Sequence, residues 1–146
     1  MAIRRARAVW EGNVERGQGI VFLGGDKVQM PYNFAARFDD GAGSNPEELI
    51  GGAHAGCFSM ALAKGLGDAG HTPLKIETTA RVHLDRSADG FAISRIELET
   101  EAEVPGIDDE TFQHLAHGAK ESCPVSKVLS AAGITLSAKL LGGQRA

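Results

Sequence analysis

Basic charge, long apolar runs and cysteine are all scarce in this chain, and each scarcity removes a class of function. Fifteen lysines and arginines stand against nineteen acids, a formal net charge of -4, so no general basic field is available to hold a phosphate backbone. Arg4, Arg5 and Arg7 cluster near the start, but Ala2, Ile3, Ala6 and Ala8 interleave with them, which reads as a strand with a charged face rather than a nucleic-acid arm. No stretch is long enough to cross a bilayer. No apolar segment follows those arginines as it would in a secretory signal. The expectation is a cytoplasmic protein with neither nucleic acid nor membrane as a partner. Its two cysteines, Cys57 and Cys123, are too few and too far apart for a C-x-x-C motif or a zinc ribbon. Paired, they would close a loop that stabilises a fold by about 4 kcal/mol. A permanent staple is nonetheless the weaker reading, because the cytosol keeps thiols reduced.

What is present is ordinary globular material: 42% hydrophobic and 23% charged residues over 146 positions, enough for one domain with a single core or for half of an intimate dimer. Residues 3 to 38 read as strands and turns, with "GQGIVFLGGDKVQM" a hairpin tipped by "GGD". "RFDDGAGSNP" is loop chemistry, and a helix follows it until "GDAGHTP". From Thr72 to Val104 the pattern is β again. In "RIELETEAEV", Ile96, Leu98, Thr100, Ala102 and Val104 alternate with four glutamates, so one face meets a core and the other meets water. Asp108 or Asp109 can cap a second helix with an apolar stripe of Phe112, Leu115, Ala116 and Ala119, closed by Cys123. Pro124 suits the first turn of a short further helix, and "ITLSAKLL" is a final strand. The order implies an α+β fold, with residues 1–146 as one domain.

The helix that carries Cys57 raises a question of its own. Asn45 is a good N-cap, Pro46 sits in the first turn, and Glu48 can reach back as in a capping box. Ile50, Ala53, Cys57 and Ala61 recur at helical spacing, which predicts that the thiol lies on the buried stripe. Gly51, Gly52 and Gly56 each cost up to about 1 kcal/mol against Ala, a cost that close approach of another backbone would offset. Glu47 and Cys57 lie ten residues apart, about 15 Å along one helix axis. They cannot share a site within one chain unless the helix breaks. An acid that serves this thiol must come from a second copy lying antiparallel, so a homodimer is expected.

"NPEELIGGAHAGCFSMALA", with "ARFDDGAGS" before it and "CPVSKVL" after it, resembles the OsmC family of thiol peroxidases, the osmotically inducible protein C and organic hydroperoxide resistance group. "WEGN", "HTPLKIETTARVHLD", "GFAISRIEL" and "VPGID" follow in OsmC-like order. The resemblance implies an intertwined homodimer, with antiparallel sheets wrapped around long central helices and active sites at the subunit interface. It makes Cys57 the peroxidatic residue and Cys123 the resolving one, with Glu47 matching the family's motif acid. Arg37 matches the arginine of the OsmC branch, which is preferred here. Arg16 lies roughly where the other branch takes its arginine. No bound cofactor or metal is implied. The reductant would be an external dithiol, of the dihydrolipoamide type or a lipoylated protein. The role implied is defence against oxidative and osmotic stress.

That chemistry gives each residue type a reason. A thiolate attacks a peroxide oxygen and becomes a sulfenic acid, yet an ordinary thiol is only a few per cent ionised at neutral pH. Cys57 lies too deep in its helix for the N-terminal dipole, and burial would raise its pKa. A guanidinium can favour the thiolate and donate forked hydrogen bonds to the peroxide, and a carboxylate would hold it in place. Cys123 would then close a disulfide. Phe34, Phe38, Phe58 and Met60 could line an apolar pocket favouring organic hydroperoxides over hydrogen peroxide, although each could equally be plain core. Three rivals stand beside this reading. His54 could pair with Cys57 as in a thiol hydrolase, though a histidine packed at an interface with one ring nitrogen satisfied is preferred. His114 and His117 could join the cysteines in a metal site. The chain could also be a non-catalytic dimeric binding module with buried thiols.

Overall fold

The computed structural model describes residues 2–39, 41 and 43–142; Met1, Asp40 and Ala42 of the predicted acidic loop, and residues 143–146 lie outside the described residues. The chain divides into two compact units, one up to Leu49 and one from Ile50 onward.

The first unit is built on a three-stranded antiparallel sheet of β1 (Arg7–Glu11), β2 (Gln18–Leu23) and β3 (Val28–Tyr32) in sequential order. Gly24, Gly25 and Asp26 at the hairpin tip all have positive φ, and glycine takes such angles without a steric cost. Asp26 receives a fork from Arg7, whose guanidinium also sits 3.9 Å from the Phe22 ring centre. Residues 34–38, read as strand or turn from sequence, instead form the short helix α1 (Phe34–Phe38). Asn33 caps it, its side-chain oxygen accepting from the Ala36 amide at 2.8 Å. Five residues are too few for a helical period to show in sequence. The helix α2 (Pro46–Asp68) starts in this unit and runs without a break into the next. Asn45 caps it as expected, accepting from the Glu48 amide at 2.8 Å, while the Glu48 carboxylate takes the Ser44 hydroxyl at 3.2 Å.

In the second unit β4 (Lys75–Ser87), β5 (Gly90–Glu103) and β6 (Gly133–Leu140) form one sheet in that order. The expected antiparallel pairing holds for the first sheet and for β4–β5, but β5 and β6 are parallel. The reason is the crossover between them, which contains α3 (Asp109–Ser122) and α4 (Pro124–Val128); a tight hairpin could not join parallel strands. Asp108 caps α3 through its bond from the Thr111 amide at 2.7 Å. The alternation read in β5 is realised: Ile96, Leu98, Thr100, Ala102 and the following Val104 are buried. The glutamates point the other way, where Glu97 binds Arg81 at 3.0 Å and His83 at 2.5 Å.

Phe58, Leu62 and Leu66 of α2 join Leu98, Ala102, Ile107, Phe112, Ala116 and Leu140 in one core. Full burial of each large side chain contributes about 1.5–3 kcal/mol. The buried stripe of α2 is therefore Gly51, His54, Phe58, Leu62 and Leu66, not the predicted Ile50, Ala53, Cys57 and Ala61. Ala53 is exposed and Cys57 is half-buried. A helix so rich in Gly and Ala carries a weak amphipathic signal, so the large residues decide which face turns inward. Gly51 has the close neighbour that sequence called for: a Cβ there would lie 3.3 Å from the Val82 side chain and 3.4 Å from the Ala80 carbonyl of β4. Gly52 and Gly56 face open space.

Candidate active site

Cys123 is placed by a junction of helices. Its amide closes the last turn of α3 on the Ala119 carbonyl at 2.9 Å, and it stands at the N-cap position of α4, with Pro124 in the first turn. The residue is fully buried. Cys57 stands in the middle of α2, half-buried, and its sulfur lies 2.9 Å from that of Cys123, both thiols being free.

Two thiols this close titrate as a pair. Burial pushes Cys57 up, and the hydrogen bond it shares with Cys123 pushes it further, against a smaller downward pull from the Val125 amide. Burial also pushes Cys123 up, but the bond with Cys57, the amide and hydroxyl of Ser126 and the Val125 amide together bring it below the ordinary thiol value. The surroundings of Cys57 therefore oppose its ionisation.

His54, fully buried, bonds through Nε2 to the Ser126 hydroxyl at 2.7 Å, and its Nδ1 has no partner. One ring nitrogen is satisfied as expected, but the ring is buried within the chain rather than at an interface, and burial lowers its pKa. His117 Nδ1 lies 2.9 Å from the Gln113 carbonyl of its own helix. Among the described residues no three His, Cys, Asp or Glu side chains converge as metal ligands.

In the first unit Arg37, in the last turn of α1, grips Glu47, in the first turn of α2. Nε donates to Oε1 and Nη2 to Oε2, each at 3.1 Å. The Asn45 side-chain amide donates to the Ala36 carbonyl at 3.0 Å, tying the two helix ends together so that the fork can form. Glu47 is nearly buried, at 9% side-chain exposure, while Arg37 keeps 39%. The guanidinium therefore still has a face to offer. Arg16 lies in the turn after β1, exposed, its amide donating to Asn13.

Arg37 also lines a cavity of about 290 Å³ together with Trp10, Val14, Tyr32, Asn33, Phe34 and Phe38. Two of the four suggested pocket residues, Phe34 and Phe38, are in this wall. Phe58 is fully buried in the second unit's core and Met60 is 76% exposed, so neither lines it: one helical face points inward and the other outward. Trp10, Val14 and Tyr32 escaped sequence reading because they come from separate segments with no shared spacing.

A dithiol with its sulfurs within reach of bond formation, carried on an α+β scaffold, defines a cysteine-based redox protein. The chain belongs to the OsmC family: the family model described as OsmC-like protein matches residues 39–139. It is 52% identical to the peroxiredoxin OsmC of Escherichia coli strain K12 over 94% of this chain and 96% of that one. It is 32% identical to an organic hydroperoxide resistance protein of Xanthomonas axonopodis pv. citri over 59% of each chain. An OsmC-like protein from Mycoplasma pneumoniae shares the fold, with a TM-score of 0.76 at 17% identity over 96% of this chain and 98% of that one. No helix among the described residues is long and apolar enough to cross a membrane.

Proposed function

We propose that this chain is a thiol-dependent peroxidase that reduces organic hydroperoxides, and hydrogen peroxide less well, to alcohols in defence against oxidative and osmotic stress. The observation that carries the reading is the 2.9 Å separation of the Cys57 and Cys123 sulfurs. Cys57, the more accessible of the two, attacks one oxygen of the hydroperoxide. The O–O bond breaks, the alcohol leaves with a proton, and Cys57 becomes a sulfenic acid. Cys123 attacks that sulfur, water leaves, and a disulfide forms. An external dithiol, of the dihydrolipoamide type or carried on a lipoylated protein, reduces that disulfide by exchange.

Arg37 is the activating cation, and Glu47 holds it. The upward push on Cys57 from its own surroundings is the need this charge meets. Ten residues of unbroken α2 separate Glu47 from Cys57, about 15 Å along the axis, so the pair serves the thiol of a second copy in a homodimer. The open faces of Gly52 and Gly56 suit such a neighbour. The aromatic cavity beside Arg37 suits the apolar part of an organic hydroperoxide. In this reading residues 1–146 act as one domain in the cytoplasm.

Consumption of cumene hydroperoxide with dithiothreitol or dihydrolipoamide tests the proposal. Cys57→Ser abolishes turnover, and Cys123→Ser completes at most one round. Steady turnover by Cys57→Ser would end this reading.

A further inference from the structure

Little of α4 and the turn after it is packed into the protein. Of residues 124–130 only Ser126 is buried; Pro124, Lys127, Val128 and Ser130 are exposed, and Val125 and Leu129 are half-buried. The Ser126 hydroxyl meets Nε2 of the fully buried His54 of α2 at 2.7 Å. His54 stands three residues before Cys57, and Ser126 three residues after Cys123. About one helical turn therefore separates each member of this polar pair from a cysteine, and both contacts join α2 to the start of α4. His54 Nδ1 has no partner. An apolar side chain would fill the place without the cost of an unmet buried nitrogen, but it could not grip the serine.

Building on the peroxidase reading, we propose that His54 and Ser126 are positioning residues. Their hydrogen bond clasps α4 to α2 and so keeps the resolving thiol beside the peroxidatic sulfur while no covalent bond joins the two. The pair acts through the backbone of α4. Cys123 is the N-cap of that helix, and its carbonyl accepts from the Lys127 amide at 3.1 Å. Fixing Ser126 fixes this first turn, and with it the residue that begins the turn. The 2.9 Å separation of the sulfurs is the placement the clasp preserves, and a group placed in advance reacts as a neighbour of high effective concentration.

The clasp matters in the interval after the first hydroperoxide has reacted, when Cys57 is a sulfenic acid with two fates. In closure, Cys123 gives up its proton and attacks the Cys57 sulfur. The S–S bond forms, the S–O bond breaks, and hydroxide leaves as water with that proton. In over-oxidation, the Cys57 sulfur attacks an oxygen of a second hydroperoxide. The O–O bond breaks, the alcohol leaves with a proton, and a sulfinic acid remains. Closure is unimolecular and depends on where Cys123 sits, whereas over-oxidation depends on the hydroperoxide concentration. By holding Cys123 in reach, the clasp raises the concentration at which Cys57 is lost to sulfinic acid.

The test exposes the full reduced chain to a series of cumene hydroperoxide concentrations without reductant, and counts disulfide and sulfinic acid by mass. Ser126→Ala should lower the concentration that leaves half the chains as sulfinic acid about three- to tenfold, the factor for one lost hydrogen bond. The same loss of effective concentration should make the Cys57–Cys123 disulfide easier to reduce by about 15–30 mV when equilibrated with dithiothreitol, at about 30 mV per tenfold. Ser126→Thr, which keeps the hydroxyl, should restore both values. His54→Leu should match Ser126→Ala, and the double variant should be no worse than the poorer single one, because both break the same bond. An unchanged half-point and potential in Ser126→Ala, or losses that add in the double variant, would overturn this inference while leaving the peroxidase reading intact. Absence of any disulfide or sulfinic acid in the wild type would overturn both. Independently of how the variants fold, the proton shared by His54 and Ser126 in the reduced wild type should exchange slowly with water by NMR, and exchange at the rate of a free imidazole would overturn the clasp.

Discussion

Mixing two inactive variants offers a sharp test of where the arginine acts. Arg37→Ala keeps the thiol pair and loses the cation; Cys57→Ser keeps the cation, gripped by Glu47 through two 3.1 Å bonds, and loses the thiol. If each site takes Cys57 from one copy and Arg37 from the other, a mixed dimer contains one complete site and one that lacks both groups. After free exchange at equal concentrations half the dimers are mixed, so activity should recover to about a quarter of the wild-type rate per chain, as the symmetry of a two-fold dimer requires. The number follows from α2 being continuous from Pro46 to Asp68, which keeps a chain's own Glu47 about 15 Å along the axis from its own thiol. Cumene hydroperoxide consumption supplies the assay, and native mass measurement shows that mixed dimers have formed. Mixed dimers without recovered activity would place both groups in one chain and refute the reasoning from helix length.

Three further expectations follow from the same geometry. Arg37→Ala should lower kcat/KM about 10²–10³-fold, the usual effect of removing a donor that meets charge developing in a transition state, and should cost about 1–2 kcal/mol of stability by leaving the nearly buried Glu47 unpaired; if Arg16→Ala gives the larger loss of rate, the role belongs to Arg16. Oxidation should raise stability by up to about 4 kcal/mol through the loop closed between Cys57 and Cys123, seen as a higher urea midpoint at equal chain concentration; an equal or lower midpoint would show that the fold resists the bond. His54, whose pKa burial lowers from 6.5, should make the chain less stable in mild acid. The unfolded chain takes up a proton that the native ring refuses, so this stabilisation is complete above about pH 6.5 and falls away below it by up to about 1.4 kcal/mol per pH unit. Urea unfolding of wild type against His54→Gln from pH 7.5 to 5 measures it, and parallel curves would disprove it.

Sequence alone determined what depends on near neighbours. Asn45 with Pro46, Asp108, and the Gly24–Gly25 tip each satisfy or bend the backbone within a few residues, and the structure places a cap or turn at each one. The alternation of β5 was legible for the same reason, since a strand's faces are set by its own period of two. The resemblance that singled out Cys57, Cys123, Arg37 and Glu47 rested on motifs that lie intact in the chain. Only tertiary structure decided which side of α2 faces inward, because glycine and alanine carry too little apolar surface to settle it before Phe58, Leu62 and Leu66 meet the sheet. The same holds for the two pairings central to the proposed chemistry. A 2.9 Å approach of sulfurs 66 residues apart, and a carboxylate closing on an arginine ten residues upstream, depend on how helices are set against one another. Distances of that kind arise from packing many side chains at once, and no local pattern encodes them.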